Sequence, residues 1–359
     1  MIVGSEQRSY MSKIKVLGIT CILALLTFTL GISFKAQDKH LNQKSQSNVE
    51  TQWTGNPLIP GKGVCDPAIR IFNGKFYLFA THDTPIDAPI RKGYKGFYMT
   101  DWWVWSSQNL SNWKLESKLK PDIFGLKGIT DCWATDALSK NGKYYWYVCT
   151  PESTYVAESN SPKGPWNSPL GSKALMAGRD PAPFMDDDGK AYLITGVWTY
   201  KIARLKNDLI SLAEKPRSID IINPRGPYNH NGDNTKQPTD DKPYLHKRDG
   251  WYYLSWGCYY AMSRNIYGPY KCKGSFLSEK DIDPQLLQEP WDKDRHGCFF
   301  EWKKQWYFAC NDLKMSNGLP FRNFDICYVE YKDNGEIAPI KITVKGVRKV
   351  SEIENQNRR

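Results

Sequence analysis

The chain has 359 residues, 40% of them hydrophobic and 14% aromatic, and a formal net charge of +11. That length holds one large domain or two modest ones, with ample core. The lysines and arginines are scattered and no nucleic-acid motif is present, which argues against a nucleic-acid partner and for a solvated basic surface or an anionic partner such as an acidic polysaccharide.

In chain order, the first feature is an address. Met11-Ser-Lys-Ile-Lys15 is a short basic stretch, and Val16–Phe34 is an uncharged run of 19 residues. This pattern predicts a secretory signal over residues 1–36, with Met11 a candidate start and cleavage after Ala36. An uncleaved anchor is the alternative, since such a run can just span a bilayer. Setting residues 1–36 aside, with four basic side chains against one acidic, lowers the net charge from +11 to +8. Residues 37–56 read as a polar spacer. Eight cysteines lie beyond Cys21, none in a C-x-x-C pair, so a zinc site is not expected. One or two disulfides and a set of buried thiols are equally open.

Beyond the spacer one unit recurs. It appears as CDPAIRIFNGKFYLFATHD from Cys65, CWATDALSKNGKYYWYVCT from Cys132 and RDPAPFMDDDGKAYLITGV from Arg179. It appears again as DDKPYLHKRDGWYYLSWGC from Asp240 and DRHGCFFEWKKQWYFACND from Asp294. Each copy is a short apolar strand, a tight turn and an aromatic-rich strand. Asn73-Gly74, Asn141-Gly142, Asp188-Gly189 and Asp249-Gly250 supply the hairpin signal, and the fifth copy has Lys303-Lys304 instead. No stretch after the signal shows a helical period. Five copies, each followed by further short strands, predict an all-β fold: a single-domain five-bladed β-propeller over residues 57–347, with a polar tail over 348–359.

In a propeller the first strand of each blade lines the central channel. Counting back from the turns, the equivalent slots hold Asp66, Trp133 or Ala134, Asp180, Asp241 and His296. An Asp-Pro pair often opens a strand for local reasons. Three carboxylates at one position around a ring repel one another, and such crowding points to chemistry. Glycoside hydrolysis needs that kit: a protonated acid, an ionised base or nucleophile, and a neighbour that tunes the acid. Trp133, Trp103 and Trp198 are candidates for sugar stacking, with packing the competing use of each.

The order and spacing of these pieces resemble glycoside hydrolase family 43 over roughly Pro57 to Val347. The matching motifs are Asp66-Pro67, Trp133-Ala134, Asp180-Pro181 before Phe184-Met-Asp-Asp-Asp-Gly189, Pro243 with Gly250-Trp-Tyr-Tyr-Leu254, and His296-Gly297. The resemblance implies an inverting hydrolase with Asp66 as general base and Asp180 orienting and tuning the acid. The family's acid is a Glu in a Glu-Gly-Pro context, where this chain has Asp241-Lys242-Pro243. Asp241 is therefore the expected acid, with a reach shorter by one C–C bond, ~1.5 Å. Glu289, Glu152 and a loss of activity are the alternatives. His296 matches a histidine that in relatives coordinates calcium or its waters, which implies a structural calcium near the channel axis; a histidine hydrogen-bonded in the channel is the other reading. No cofactor is required.

The resemblance implies a plant or algal-type polysaccharide or its oligosaccharides as substrate, built of β-xylosides, α-L-arabinofuranosides or galactans. The basic chain tilts this toward an anionic glycan. An exported monomer is expected, periplasmic, cell-surface or secreted, with no membrane partner beyond the signal segment. The competing functions are a non-catalytic sugar-binding propeller and a related propeller glycosidase or phosphorylase.

Overall fold

A computed structural model describes residues 52–350. The signal segment, the spacer up to residue 51 and the tail from residue 351 lie outside the described residues. Among those described, no helix is long and apolar enough to cross a membrane.

The strands form five sheets. The first blade holds β1 (Val64–Phe72), β2 (Lys75–His82), β3 (Trp102–Ser107) and β4 (Lys114–Leu119). The second holds β5 (Trp133–Lys140), β6 (Lys143–Cys149), β7 (Ser153–Ser159) and β8 (Met176–Ala177). The third holds β9 (Ala182–Met185), β10 (Ala191–Val197), β11 (Thr199–Arg204) and β12 (Arg217–Ser218). The fourth gains an outer strand, β13 (Ile221–Ile222), which runs parallel to β17 (Tyr270–Ser275). Its inner strands are β14 (Pro243–Arg248), β15 (Trp251–Trp256) and β16 (Tyr259–Ser263). The fifth has β18 (Gly297–Trp302), β19 (Gln305–Asp312) and β20 (Asn323–Val329). The innermost strands β1, β5, β9, β14 and β18 touch one another in ring order, and β18 returns to β1. This is the five-bladed propeller that the repeat predicts.

Most of the aromatic residues serve the packing between blades. Phe79 of blade 1 meets Trp146 of blade 2 edge-on at 5.3 Å, and Phe76 meets Phe300 of blade 5 at 6.2 Å. Phe184 and Tyr252 do the same between blades 3 and 4 at 6.1 Å. Flat rings fill the wedge between twisted sheets and make favourable edge-to-face pairs there. The cysteines join this packing: the eight described ones are free thiols, all buried except the half-buried Cys272.

The ring closes without a covalent link. Trp53 pairs with Arg348 and Leu58 with Phe324 of β20, so the chain's incoming segment adds itself to the edge of the last blade. The Asn56 side chain completes the join, accepting from Ile326 N and donating to the carbonyls of Ile326 and Thr343, each at 2.9 Å. Residues 53–56, which composition assigns to the spacer, thus belong to the propeller. Covering an open strand edge is the physical reason.

Three of the four Asx-Gly turns share one form, while at Asp188-Gly189 only the glycine is at positive φ, in a wider turn closed by Asp186 and Lys190. Asn73-Gly74, Asn141-Gly142 and Asp249-Gly250 place both residues at positive φ. Lys303 and Lys304 do the same, at φ 51° and 67°. The fifth turn therefore keeps its shape with two side chains that disfavour it. Replacing Lys304 by glycine should raise stability by about 1 kcal/mol, read as a melting temperature about 2 °C higher. An unchanged or lower melting temperature would show that the turn is not strained.

Candidate active site

The sites are set where the inner strands begin. Asp66 and Asp180 each precede a proline and each sits in the left-handed region, at φ 48° and 59°. A residue before proline avoids the helical region, and aspartate is among the few that tolerate positive φ. In blade 4 the corresponding pre-proline residue is Lys242, at φ 45°. Asp241 therefore projects from one residue earlier than the slots of Asp66 and Asp180. The left-handed backbone also explains why the family pattern carries glycine at the position of Lys242. The Lys242 side chain is buried and turns away to the Gly297 carbonyl at 3.5 Å, while its backbone N–H donates to Asp180 Oδ2 at 3.0 Å.

His296 is the hub. Its Nδ1 lies 2.9 Å from Asp294 Oδ1 and 3.2 Å from Asp66 Oδ1. On the other edge, Nε2 is in close contact with Asp241 Oδ1 and 3.7 Å from Asp240 Oδ2. Burial opposes a charge on the ring, but Asp241 and Asp294 outweigh it and hold the imidazole well above its ordinary range. Gly297 lets this segment pass close to β19, since a Cβ there would meet the Ala309 carbonyl at 2.1 Å.

Asp66 is the best anchored carboxylate. Its Oδ1 accepts from Asn311 Nδ2 at 2.8 Å and Arg322 Nη1 at 3.0 Å, and its backbone N–H donates to Asn311 Oδ1 at 2.6 Å. Arg322 is itself fixed by Asp83, accepting at both oxygens, and reaches Asp294 at 3.2 Å. Burial alone would raise the Asp66 carboxyl, but Arg322 and His296 hold it well below the usual range. Asp180 goes the other way. Burial first, then the neighbouring Asp241 carboxylate, push it up to about 7. Asp240 is pushed up to about 6, again mainly by burial. Asp66 is thus held ionised opposite Asp180 and Asp240, which keep their protons to higher pH than an ordinary carboxyl.

A cavity of about 450 Å³ opens over these groups. Asp66, Asp180, Asp241, His296, Trp133 and Trp198 all line it, as six of the seven site residues expected from the sequence. Trp103 does not. It lies on β3, 8% exposed, stacked on His82 at 3.6 Å with its N–H on Asp101. The expectation of sugar stacking there is corrected: β3 is the third strand of blade 1, removed from the innermost strand β1 that borders the channel. Of the alternative acids, Glu289 is exposed at the cavity and Glu152 is exposed away from it.

Asp240, Asp294, Asn311 and Arg322 escaped the sequence reading. Asp240 and Asp294 open the fourth and fifth repeat copies, so the doublet Asp240-Asp241 and the run Asp294-Arg-His296 were available signals. Asn311 lies at the end of the fifth copy as an uncharged amide and Arg322 lies outside every copy, so neither carries such a signal.

Comparison with known proteins agrees with this layout. Residues 54–336 match the family model of glycosyl hydrolases family 43. The chain belongs to that family. A xylosidase/arabinosidase of Bacteroides ovatus is 27% identical to this hydrolase over 336 residues, covering 80% of the chain and 97% of the relative. Xylosidase/arabinosidase 43A of Humicola insolens is 26% identical, covering 79% and 99%. Among solved structures, a family 43 β-xylosidase/α-arabinofuranosidase from a compost metagenome, in complex with xylotriose, superposes with a TM-score of 0.66. It is 25% identical and covers 81% of this chain and 98% of its own. The hydrolase therefore cleaves glycosidic bonds on a five-bladed propeller.

Proposed function

We propose that this hydrolase cleaves xylosidic or arabinofuranosidic bonds in xylan-type plant polysaccharides and their oligosaccharides, with inversion at the anomeric carbon. The observation that carries the reading is the contrast between Asp66, held ionised by Arg322 and His296, and the proton-retaining Asp180 beside Asp241 in one cavity. Asp66 takes a proton from water as that water attacks the sugar. Asp241 gives a proton to the departing oxygen. Asp180 orients that acid and tunes it by its neighbouring charge. The relatives named as xylosidases and arabinosidases support the choice of sugar. The basic stretch and uncharged run Val16–Phe34 support export.

The surroundings of His296 suit a hard cation such as calcium. Asp240 Oδ2 and Asp294 Oδ2 are buried carboxylate oxygens without a hydrogen-bond partner, while Asp241 Oδ1 and His296 Nε2 meet each other. Asp240 and Asp241 with His296, or Asp66 and Asp294 with His296, would hold the ion. It would supply positive charge among the aspartates and keep the histidine in place.

The test is product stereochemistry. Xylotriose and arabinose-substituted xylo-oligosaccharides are incubated with the enzyme and the first-formed anomer is followed by proton NMR. Release of xylose or arabinose in the inverted configuration is expected. A retained configuration, or no release from any of these substrates, would overturn the proposal.

A further inference from the structure

Two further cations, Arg179 and Lys293, line the cavity. Arg179 precedes Asp180, and its backbone is pinned because its carbonyl accepts from Gly196 N at 2.8 Å. Its guanidinium lies over the Trp133 ring, 4.2 Å from the centroid. It forms no ion pair with another described residue, and its Nε is buried without a hydrogen-bond partner. Lys293 lines the same cavity over the ring of Tyr228, at 4.8 Å, and likewise has no carboxylate within ion-pair distance among the described residues. Arg322 and His296 differ in kind, because Asp66, Asp83 and Asp294 already neutralise them.

A ring meant only to stack on a neutral sugar works best with a bare apolar face. Here a guanidinium lies against Trp133, so that wall carries a positive charge beside its aromatic surface. Holding the arginine on the ring also fixes it in advance, so little freedom is lost when an anion docks. A guanidinium without an ion-pair partner is met best by acceptor oxygens that carry negative charge.

We infer that the sugar chain bound in this cavity carries an anionic substituent, a carboxylate or a sulfate ester, received by Arg179 with help from Lys293. This rests on the hydrolase reading and narrows its substrate to acidic glycans. The chain's positive net charge runs in the same direction.

Three matched sets of xylo-oligosaccharides test it: unsubstituted, bearing a glucuronic acid branch, and bearing a sulfate ester. At low salt, kcat/KM on one acidic set should exceed that on the neutral set by tenfold or more, and which set responds identifies the anion. Arg179→Gln should bring that ratio down about tenfold, Arg179→Lys should keep part of it, and Lys293→Gln should lower it less. Raising the salt to screen the charges should shrink the wild-type ratio as well. A wild-type ratio near one, or a ratio that Arg179→Gln leaves unmoved, overturns the inference. If no oligosaccharide is cleaved, the hydrolase reading fails separately and calorimetric binding of the same sets decides. Tighter binding of an acidic set that is lost in Arg179→Gln upholds the inference; equal binding, or none, overturns it.

Discussion

Asp66→Asn should lower kcat on xylo-oligosaccharides about a thousandfold, with little change in KM and a melting temperature within a few degrees of wild type. The asparagine oxygen can still accept from Asn311 Nδ2 and Arg322 Nη1, the contacts that fix Asp66 Oδ1. What it cannot do is accept a proton from water. The surrounding charges stay matched, since Arg322 keeps both oxygens of Asp83 and its contact to Asp294, and His296 keeps Asp294 and Asp241. The substitution therefore separates chemistry from folding. Initial rates and a thermal melt on the same preparation provide the check. A variant that retains a tenth or more of wild-type kcat would remove Asp66 from the role of base.

Asp66 could be found at all because it occupies a repeated position. The slot that begins each inner strand is tied to a hairpin turn eight or nine residues later, and the turn chemistry is local. The five blades, Asp66, Asp180 and His296 were legible for that reason. The remaining parts of the site are held by tertiary structure. Arg322 reaches Asp66 from 256 residues further along the chain, out of a connection before β20 that no repeat marks. Blade 4 shows the limit of slot counting more sharply. The left-handed pre-proline position falls on Lys242, so Asp241 stands one residue off the register that its carboxylate suggested. Trp103 misleads because composition alone does not tell a third strand from an innermost one, and none of Trp102, Trp103 and Trp105 in β3 reaches the cavity. Ring closure by residues 53–58 was hidden too, because it is made mainly of backbone pairing and one asparagine side chain.

The acid side of the site makes the second large prediction. Asp180 keeps a proton longer than an isolated carboxyl, because burial and the neighbouring Asp241 carboxylate push it up to about 7. The sign follows. A raised carboxyl pKa leaves Asp180 protonated below pH 7 and ionised above it. Asp66, held low, stays ionised across that window. kcat/KM should therefore be flat through mildly acidic pH and fall about tenfold per unit above pH 7. Asp241→Asn should cut hydrolysis of xylo-oligosaccharides by a hundredfold or more, and p-nitrophenyl glycosides by much less, because a good leaving group needs little protonation. Asp180→Asn should shift or remove the alkaline limb, since the repulsion that holds the proton is gone. Activity that rises through pH 7, or equal losses on both substrate types in Asp241→Asn, would mean that the proton comes from elsewhere. The exposed Glu289 at the cavity would then be the residue to replace next.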